Sequence, residues 1–452
     1  MKIVIDMSPT LGGSRYRGIG AYMLALVEAI LKKNDGHDLH FVMANEYPVD
    51  FFEELRTFLL QYVSEDHIHV WTPFEKGVRG GNQDPLKCHL IELYREAYIR
   101  HLNPDVVLIS SFFDDAVTSV DRFSVDVPVA TIHYDLIPLA ESRGFLSSSE
   151  FARLYLERLN SFKLCKAFLC ISEFTKNELV AMLGVEPKRT FVVGTGCDIP
   201  QFNIAESSDM TACRQKFGLT KKYILVVGSP DDPRKNVKTL IRAMGKLQEK
   251  SGKEYQLLVV GRCGKDFREK IQSDIYEAGL KNEDVILTGF VSELELEKLY
   301  QGASLLVHPS YREGFGLPIA QAMAYGTPFA CSNTSCMPEV AGRNDVLFSP
   351  YSEVEMADVM YRILSSNEFS HELIAYGMER VKMFSWEVVA NKVISSLQCI
   401  ANKQPNEKIS MDEVLCRMKP LVVLLSQTEQ VALCNALARD FSTISEASVR
   451  EK

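Results

Sequence analysis

Short apolar runs that are continuous rather than alternating, each followed by a turn and a helix-forming segment, recur along this sequence and restrict it to a doubly wound α/β arrangement. A strand buried on both faces has no polar side to alternate with, so continuity marks the parallel strands of a sheet covered by helices. The run at 303–307 is the most informative. It leads into His308-Pro309-Ser310-Tyr311-Arg312-Glu313-Gly314-Phe315-Gly316-Leu317-Pro318, after which 319–324 is helix-forming. Pro318 suits a first helical turn. Strand, Gly-rich turn and helix in that order aim backbone N–H groups and the positive end of a helix dipole out of the carboxyl edge of a sheet, where an anionic group is stabilised. Glu313 stands at that mouth and would repel a phosphate unless it has another task. Accepting hydrogen bonds from neutral hydroxyls, as on a sugar, is the task that fits.

A chain of 452 residues is too long for one ordinary core and suits two domains of about 200 residues. The reading is a first domain over 1–200, a second over 201–400 and a helical tail over 401–452. Strands are expected at 2–6, 39–44, 67–71, 105–109, 127–132, 167–171 and 190–193. After a polar, irregular linker at 199–219, further strands are expected at 223–227, 256–260, 284–287, 303–307 and 329–332, with helices between. The polar loop 75–85 is long enough to border an acceptor site. The helix at 151–164 carries Leu154, Leu156, Leu159 and Phe162 beside Arg153, Arg158 and Lys163, which leaves core packing and a membrane-surface role both open. In the tail, Ser426 and Glu429 form a capping box before a helix bearing Val431, Leu433, Leu437 and Phe441, which either packs on this chain or docks a partner.

Net charge of −9 gives no reason to expect nucleic acid. The eleven cysteines include no C-x-x-C pair and read as reduced thiols. No leader precedes the first strand, and no apolar run approaches the ~20 residues that span a bilayer. A cytoplasmic protein is expected. Gly18-Ile19-Gly20 is not a dinucleotide fingerprint, because Met23 stands where the third glycine belongs. At 228–236, Gly228 is followed by Arg234-Lys235-Asn236 at a strand-to-helix junction, which offers two cations to a diphosphate. His133 ends the strand at 127–132, on the edge where ligands bind.

The stretch 308–328 resembles the donor-binding signature of retaining glycosyltransferase family 4, whose GT-B architecture has two Rossmann-like domains facing across a cleft. That signature holds two glutamates; Glu313 matches the first, and Gln321 occupies the place of the second. The resemblance extends over roughly 1–400. Residues 13–22 resemble the family's N-terminal glycine loop, particularly in a branch that builds bacterial polysaccharides such as O antigen with mannose. His133-Tyr134-Asp135 resembles a His-Asp motif with Tyr134 inserted. Arg234-Lys235-Asn236 matches the phosphate clamp.

The resemblance implies catalytic roles for His133, Glu313, Arg234 and Lys235. It implies donor contacts from Gly18, Gly20, Gly228, Val291, Gly314, Phe315, Gly316, Leu317 and Gln321. No cofactor or metal is expected, since Asp231 and Asp232 are adjacent rather than in an Asp-x-Asp pattern. The partners implied are a nucleotide-sugar donor and a saccharide or lipid-linked saccharide acceptor, with peripheral membrane contact or a polysaccharide-synthesis complex as further options. The donor of first choice is GDP-mannose. Gln321, lacking a carboxylate's hold on two ribose hydroxyls, keeps a dTDP or UDP sugar such as dTDP-rhamnose open. A non-catalytic scaffold and a nucleotide-sugar epimerase are the readings from other classes.

Overall fold

The structure is a computed structural model of the whole chain. It describes all residues except 13–14, 16–17, 34, 75–83, 115–117, 121–126, 199–206, 253, 402–410 and 450–452, and, within helices, the side chains of 143, 150, 207–209, 411–413, 415, 417 and 441–449. Residues 75–83 of the expected acceptor-bordering loop, residues 13–14 and 16–17 of the glycine loop and the Phe441 side chain therefore lie outside the described residues.

Two compact units are present. The first comprises Met1–Ile171, Thr175–Gly194 and Val389–Lys452, and the second Ser172–Phe174 and Thr195–Val388. The first contains β1 (Lys2–Asp6), β2 (Asp38–Ala44), β3 (Ile68–Trp71), β4 (Val106–Ile109), β5 (Val129–His133), β6 (Ala167–Cys170) and β7 (Thr190–Val192). They form one parallel sheet in the order β3-β2-β1-β4-β5-β6-β7. The second contains β8 (Lys222–Val227), β9 (Tyr255–Val260), β10 (Val285–Gly289), β11 (Leu305–His308), β12 (Phe329–Ser332) and β13 (Leu347–Phe348), in the order β10-β9-β8-β11-β12-β13. All of its pairings are parallel as well. In each sheet the order reverses beside the first strand, between β1 and β4 and between β8 and β11. Such switch points leave a crevice at the carboxyl ends of the strands where ligands sit.

The strands formed where the apolar runs were continuous, because β1, β4, β6, β9 and β12 are almost wholly buried. β13 is two residues long, too short to leave a pattern. Residues 199–219 do not form an irregular linker throughout: Ser207–Lys216 is a helix. Its composition is so polar that the helical period barely shows, and among the described side chains of the helix Cys213 alone is buried. The helix at Ser149–Phe162 buries Tyr155, Leu159 and Phe162, spaced four and three residues apart, while Leu156 is exposed. The apolar face is thus displaced from the expected one.

The tail packs on the first unit. Its capping box forms, with Glu429 N–H on Ser426 Oγ at 3.4 Å and Ser426 N–H on Glu429 Oε2 at 2.8 Å. Leu433 and Leu437 join Val414, Met418 and Leu425 in the core around Leu90 and Tyr94, whereas Val431 faces solvent. Tyr94 Oη donates to Asp440 Oδ2 at 2.5 Å and to the Ala436 carbonyl at 3.0 Å. Beneath the first sheet, Asp6 at the end of β1 accepts from Arg95 Nε at 2.8 Å, and both side chains are essentially inaccessible. Arg95 also donates to the Ser119 carbonyl at 3.3 Å.

Removing one member of such a pair strands its partner in a low-dielectric interior. Arg95→Ala is therefore expected to destabilise the first unit by about 3–5 kcal/mol, measured as a lower midpoint in urea unfolding; a loss below about 1 kcal/mol, as for an exposed pair, would contradict the burial.

Candidate functional site

In the second unit, two loops rise from the carboxyl ends of the strands flanking the switch point. After β8 the chain turns at Gly228, passes through Pro233–Lys235 as a single 3-10 turn and enters the helix Val237–Ser251. Gly228 has φ +144°, and a Cβ there would come within 3.0 Å of the Lys235 side chain. Glycine thus lets the Lys235 stem lie across the end of β8. After β11, the loop 309–316 leads into the helix Leu317–Ala324. Gly316 caps that helix in the left-handed region, at φ +87°, a conformation costly for residues with a Cβ.

These loops are stitched together. Asn236 is buried at φ +54°, and its Nδ2 donates to the carbonyls of Pro309 at 3.0 Å and Pro350 at 2.7 Å. The Tyr311 N–H donates to the Arg234 carbonyl at 2.8 Å. Lys235 Nζ then meets Glu313 Oε1 at 2.6 Å, with the two side chains 19% and 13% exposed. Buried His308, the last residue of β11, lies with Nε2 3.4 Å from the same oxygen. Burial would raise the Glu313 carboxyl, but the Lys235 ammonium and then His308 outweigh it and hold the group well below the usual carboxylate range. Glu313 is an anion with one of its oxygens engaged. Its N–H donates to Ser335 Oγ at 3.2 Å, and Ser335 has φ +49°, one of three non-glycine residues with positive φ among those described.

The structure thus brings together Gly228, Arg234, Lys235, Glu313 and the Gly314–Leu317 turn. Arg234 is paired with Asp232, Nε to Oδ1 at 3.2 Å and Nη2 to Oδ2 at 2.5 Å. Both clamp cations therefore already face carboxylates, which the sequence reading did not foresee. Phe315 turns its ring into the core, edge-on to Phe384 at 5.4 Å, so its backbone is what it offers the turn. Gln321 Oε1 accepts from Tyr300 Oη at 2.9 Å. Val291, past β10, is buried, while neighbouring Phe290 is 72% exposed with the Arg262 guanidinium 5.0 Å from its ring centroid.

His133, Gly18 and Gly20 belong to the first unit. Gly18 and Gly20 lie in the first turn of the helix Gly18–Lys33. A Cβ at Gly18 would meet nothing within 4 Å, so packing does not demand glycine there. His133 closes β5, is 1% exposed, and its Nε2 has no hydrogen-bond partner among the described residues. Burial brings its pKa down to about 4, against a smaller opposing pull from a backbone hydrogen bond at Thr175. At neutral pH it is an uncharged imidazole with one nitrogen uncommitted. Asp135 spends an oxygen on the Ile137 N–H at 2.9 Å, capping the turn that follows. Tyr134 Oη reaches the Ser110 carbonyl at 3.0 Å.

His308, Asn236 and Ser335 hold Glu313 and Lys235 in place, and their roles were not read from the sequence. The signal for His308 was available, since it ends a buried strand just as His133 does. Asn236 reads only as part of the clamp motif, and neither its carbonyl partners, 73 or more residues away, nor the contact of Ser335 with Glu313, 22 residues away, leaves a signal in the sequence.

Comparisons with known proteins bear on the family and the fold. A family model described as Glycosyltransferase Family 4 matches residues 16–201, and one described as Glycosyl transferases group 1 matches 209–380. The serotype-specific mannosyltransferase WbdA of Escherichia coli is 25% identical over 450 residues, covering 97% of this chain and 53% of that protein. The O-antigen chain mannosyltransferase B of Escherichia coli is 28% identical over 248 residues, 54% of this chain and 62% of that one. The chain thus spans about half the length of the first curated relatives it matches. Among solved structures, Anabaena Alr3699/HepE in complex with UDP and glucose superposes with a TM-score of 0.65 at 17% identity, over 88% of this chain and all of that one. This likeness supports the GT-B fold. No helix among the described residues is long and apolar enough to cross a membrane.

Asn236→Ala removes two buried hydrogen bonds and leaves a side chain poorly suited to positive φ. It is expected to cost about 2–4 kcal/mol in the thermal unfolding of the second unit, and a change below about 0.5 kcal/mol would show that the loops are held otherwise. His133 gives a pH prediction. Its pKa falls from 6.5 to about 4 on folding, so the unfolded chain binds the extra proton and stability is lost as pH falls from 6.5 towards 4. His133→Gln should remove about 3 kcal/mol of that loss, read as a flatter dependence of the urea midpoint on pH than in the wild type.

Proposed function

The chain belongs to glycosyltransferase family 4, and from that premise we propose that it transfers a hexosyl unit, with retention of configuration, from a nucleotide diphosphate sugar to a growing surface polysaccharide. The donor we assign first is GDP-mannose and the acceptor a lipid-linked saccharide such as an O-antigen chain. The mannosyltransferases among its relatives support the choice of sugar. The observation that carries the reading is the Lys235–Glu313 pair, standing across the switch point of the second sheet with the Gly314–Leu317 turn beside it.

Glycosyl transfer separates a sugar with oxocarbenium character from an anionic leaving group, so stabilisation has to grow where charge appears on the diphosphate. Lys235, Arg234 and the amide end of the helix Leu317–Ala324 supply cationic and dipolar partners on one edge. An arriving diphosphate competes with Glu313 for Lys235 and with Asp232 for Arg234. Glu313, released from the ammonium, is then free to accept hydrogen bonds from sugar hydroxyls. The donor thus exchanges partners within a site whose charges were already balanced, which avoids an uncompensated cluster of cations before binding. His133, neutral and with Nε2 uncommitted among the described residues, can bond a neutral hydroxyl without adding charge.

Gln321 keeps the dTDP and UDP sugars as a second reading of the donor. With its oxygen on Tyr300, it offers its amide N–H groups and no carboxylate. The first unit would receive the acceptor, and assembly with other polysaccharide-synthesis enzymes or a membrane surface belongs to the same proposal.

The test is turnover of the full chain with a defined acceptor and GDP-mannose, UDP sugars and dTDP sugars in parallel, with the product's anomeric configuration read by NMR. Lys235→Ala and Glu313→Ala are each expected to lower kcat by about 10²–10⁴-fold while the fold persists. A catalytically silent scaffold would bind no donor and show no loss, an epimerase would convert the donor without an acceptor, and no response to any guanosine sugar would remove GDP-mannose.

A further inference from the structure

At the amino end of β2 and β3, the opposite edge of the first sheet from His133, a second cluster of chemically active side chains converges. Asp38 opens β2, and His40, two residues on, projects from the same face. His67 immediately precedes β3, which pairs with β2. Asp38 Oδ1 lies 2.9 Å from His40 Nε2 and 3.3 Å from His67 Nε2, and one ligand atom from each residue lies within 4.8 Å of the others. Donor atoms about 2.0–2.2 Å from a shared tetrahedral ion stand roughly 3.3–3.5 Å apart. Two of the three separations, 2.9 and 3.3 Å, are within a few tenths of an ångström of that spacing, and the third, at most 4.8 Å, closes to it with a shift of no more than about 1.5 Å.

The outer nitrogens support the same reading. His40 Nδ1 is 2.8 Å from His69 Nε2, and His67 Nδ1 is 3.0 Å from Ser64 Oγ and 3.4 Å from Asp66 Oδ1. A ligating imidazole normally donates its other N–H to a carboxylate, hydroxyl or similar acceptor, which fixes the tautomer and turns the lone pair inward. If Asp38 instead accepted N–H bonds from both neutral rings, His67 Nδ1 would present a lone pair to the Asp66 carboxylate. An ion on the Nε2 atoms removes that clash. Beside the cluster is a cavity of ≈ 310 Å³ lined by Asp38, His67, His37, Tyr62 and Ser64 among others. It provides an approach from solvent and room for a further ligand. His37, on its wall, has Nδ1 buried without a hydrogen-bond partner among the described residues.

We infer that Asp38, His40 and His67 form a binding site for a divalent transition-metal ion of the zinc class, one that clamps the amino ends of β2 and β3 together. Two imidazoles and one carboxylate suit zinc and its neighbours rather than magnesium or calcium, which prefer sets made only of oxygen ligands. The glycosyl transfer proposed above uses none of these residues, so the inference stands or falls independently of it. Its role is structural: a cross-link at the edge of the sheet.

The experiment uses the full chain without an affinity tag, stripped with chelator and titrated with zinc against a chromophoric competitor, with magnesium in parallel. One zinc per chain is expected, with a rise in Tm of several degrees as for any ligand bound to the folded state alone and no response to magnesium. Asp38→Asn and His67→Gln change half-exposed or partly exposed side chains and should leave the fold intact by circular dichroism. Each is expected to weaken zinc binding by about tenfold or more, and His69→Ala by about 10–100-fold through the lost outer bond. Absence of zinc binding overturns the site. So does binding that all three variants leave unchanged, as it would be if the exposed Cys399, Cys416 and Cys434 held the ion.

Discussion

The loops at the switch point of the second unit depend on a single buried amide. Asn236 adopts a left-handed conformation that few residues tolerate, and it spends both N–H bonds of its side chain on carbonyls from two other loops. Those bonds fix the turn after β8 against the loop after β11. Lys235 and Glu313 both ride on that junction, because Lys235 precedes Asn236 directly and Glu313 lies four residues beyond the Pro309 carbonyl that Asn236 holds. A buried donor that lost its acceptors would pay its full desolvation cost, so the two loops stay in register as one body. Strain at Asn236 and Ser335 is tolerated where the surroundings over-determine the conformation, as is common at ligand sites.

Electrostatically, the site is balanced before any substrate arrives. Arg234 faces Asp232 and Lys235 faces Glu313, so each cation has an anion within hydrogen-bonding distance. A cluster of bare cations at a partly buried strand edge would be costly to fold around. Pairing keeps the cations aimed, and under the proposed function it would make donor binding an exchange of partners. The same pairing is what the proposed function would need of an acidic residue beside a phosphate: Glu313 neutralises Lys235 and would be released to accept from a sugar once a diphosphate took its place.

The first unit is held by a different device. Its core is capped at one place by the tail helices, whose Leu433 and Leu437 bury against the helix Pro85–His101 and whose Asp440 receives the Tyr94 hydroxyl. Beneath the sheet, Asp6 and Arg95 form a buried pair that ties β1 to that same helix. A segment outside the family resemblance has thus become part of the hydrophobic core of the unit it follows.

How much of this was legible in the sequence follows from the range of each interaction. Continuity of the apolar runs located every strand except β13, since burial on both faces is a property of a few adjacent residues, and the local order strand, glycine turn, helix placed Glu313, Lys235 and His133 at carboxyl strand ends. The helix Ser207–Lys216 was missed because its polar composition leaves almost no period to read, and the buried face of Ser149–Phe162 shifted because Tyr155 packs inward where Leu156 does not. Sequence alone determined the doubly wound fold of each unit, the strand ends and the residue types available there, because these depend on neighbours within a few positions. Tertiary structure alone decided that Lys235 meets Glu313 across 78 residues, that Asn236 locks their loops, that the tail packs on the first unit and that Asp38, His40 and His67 converge, because which side chains share a space depends on the order of strands in a sheet.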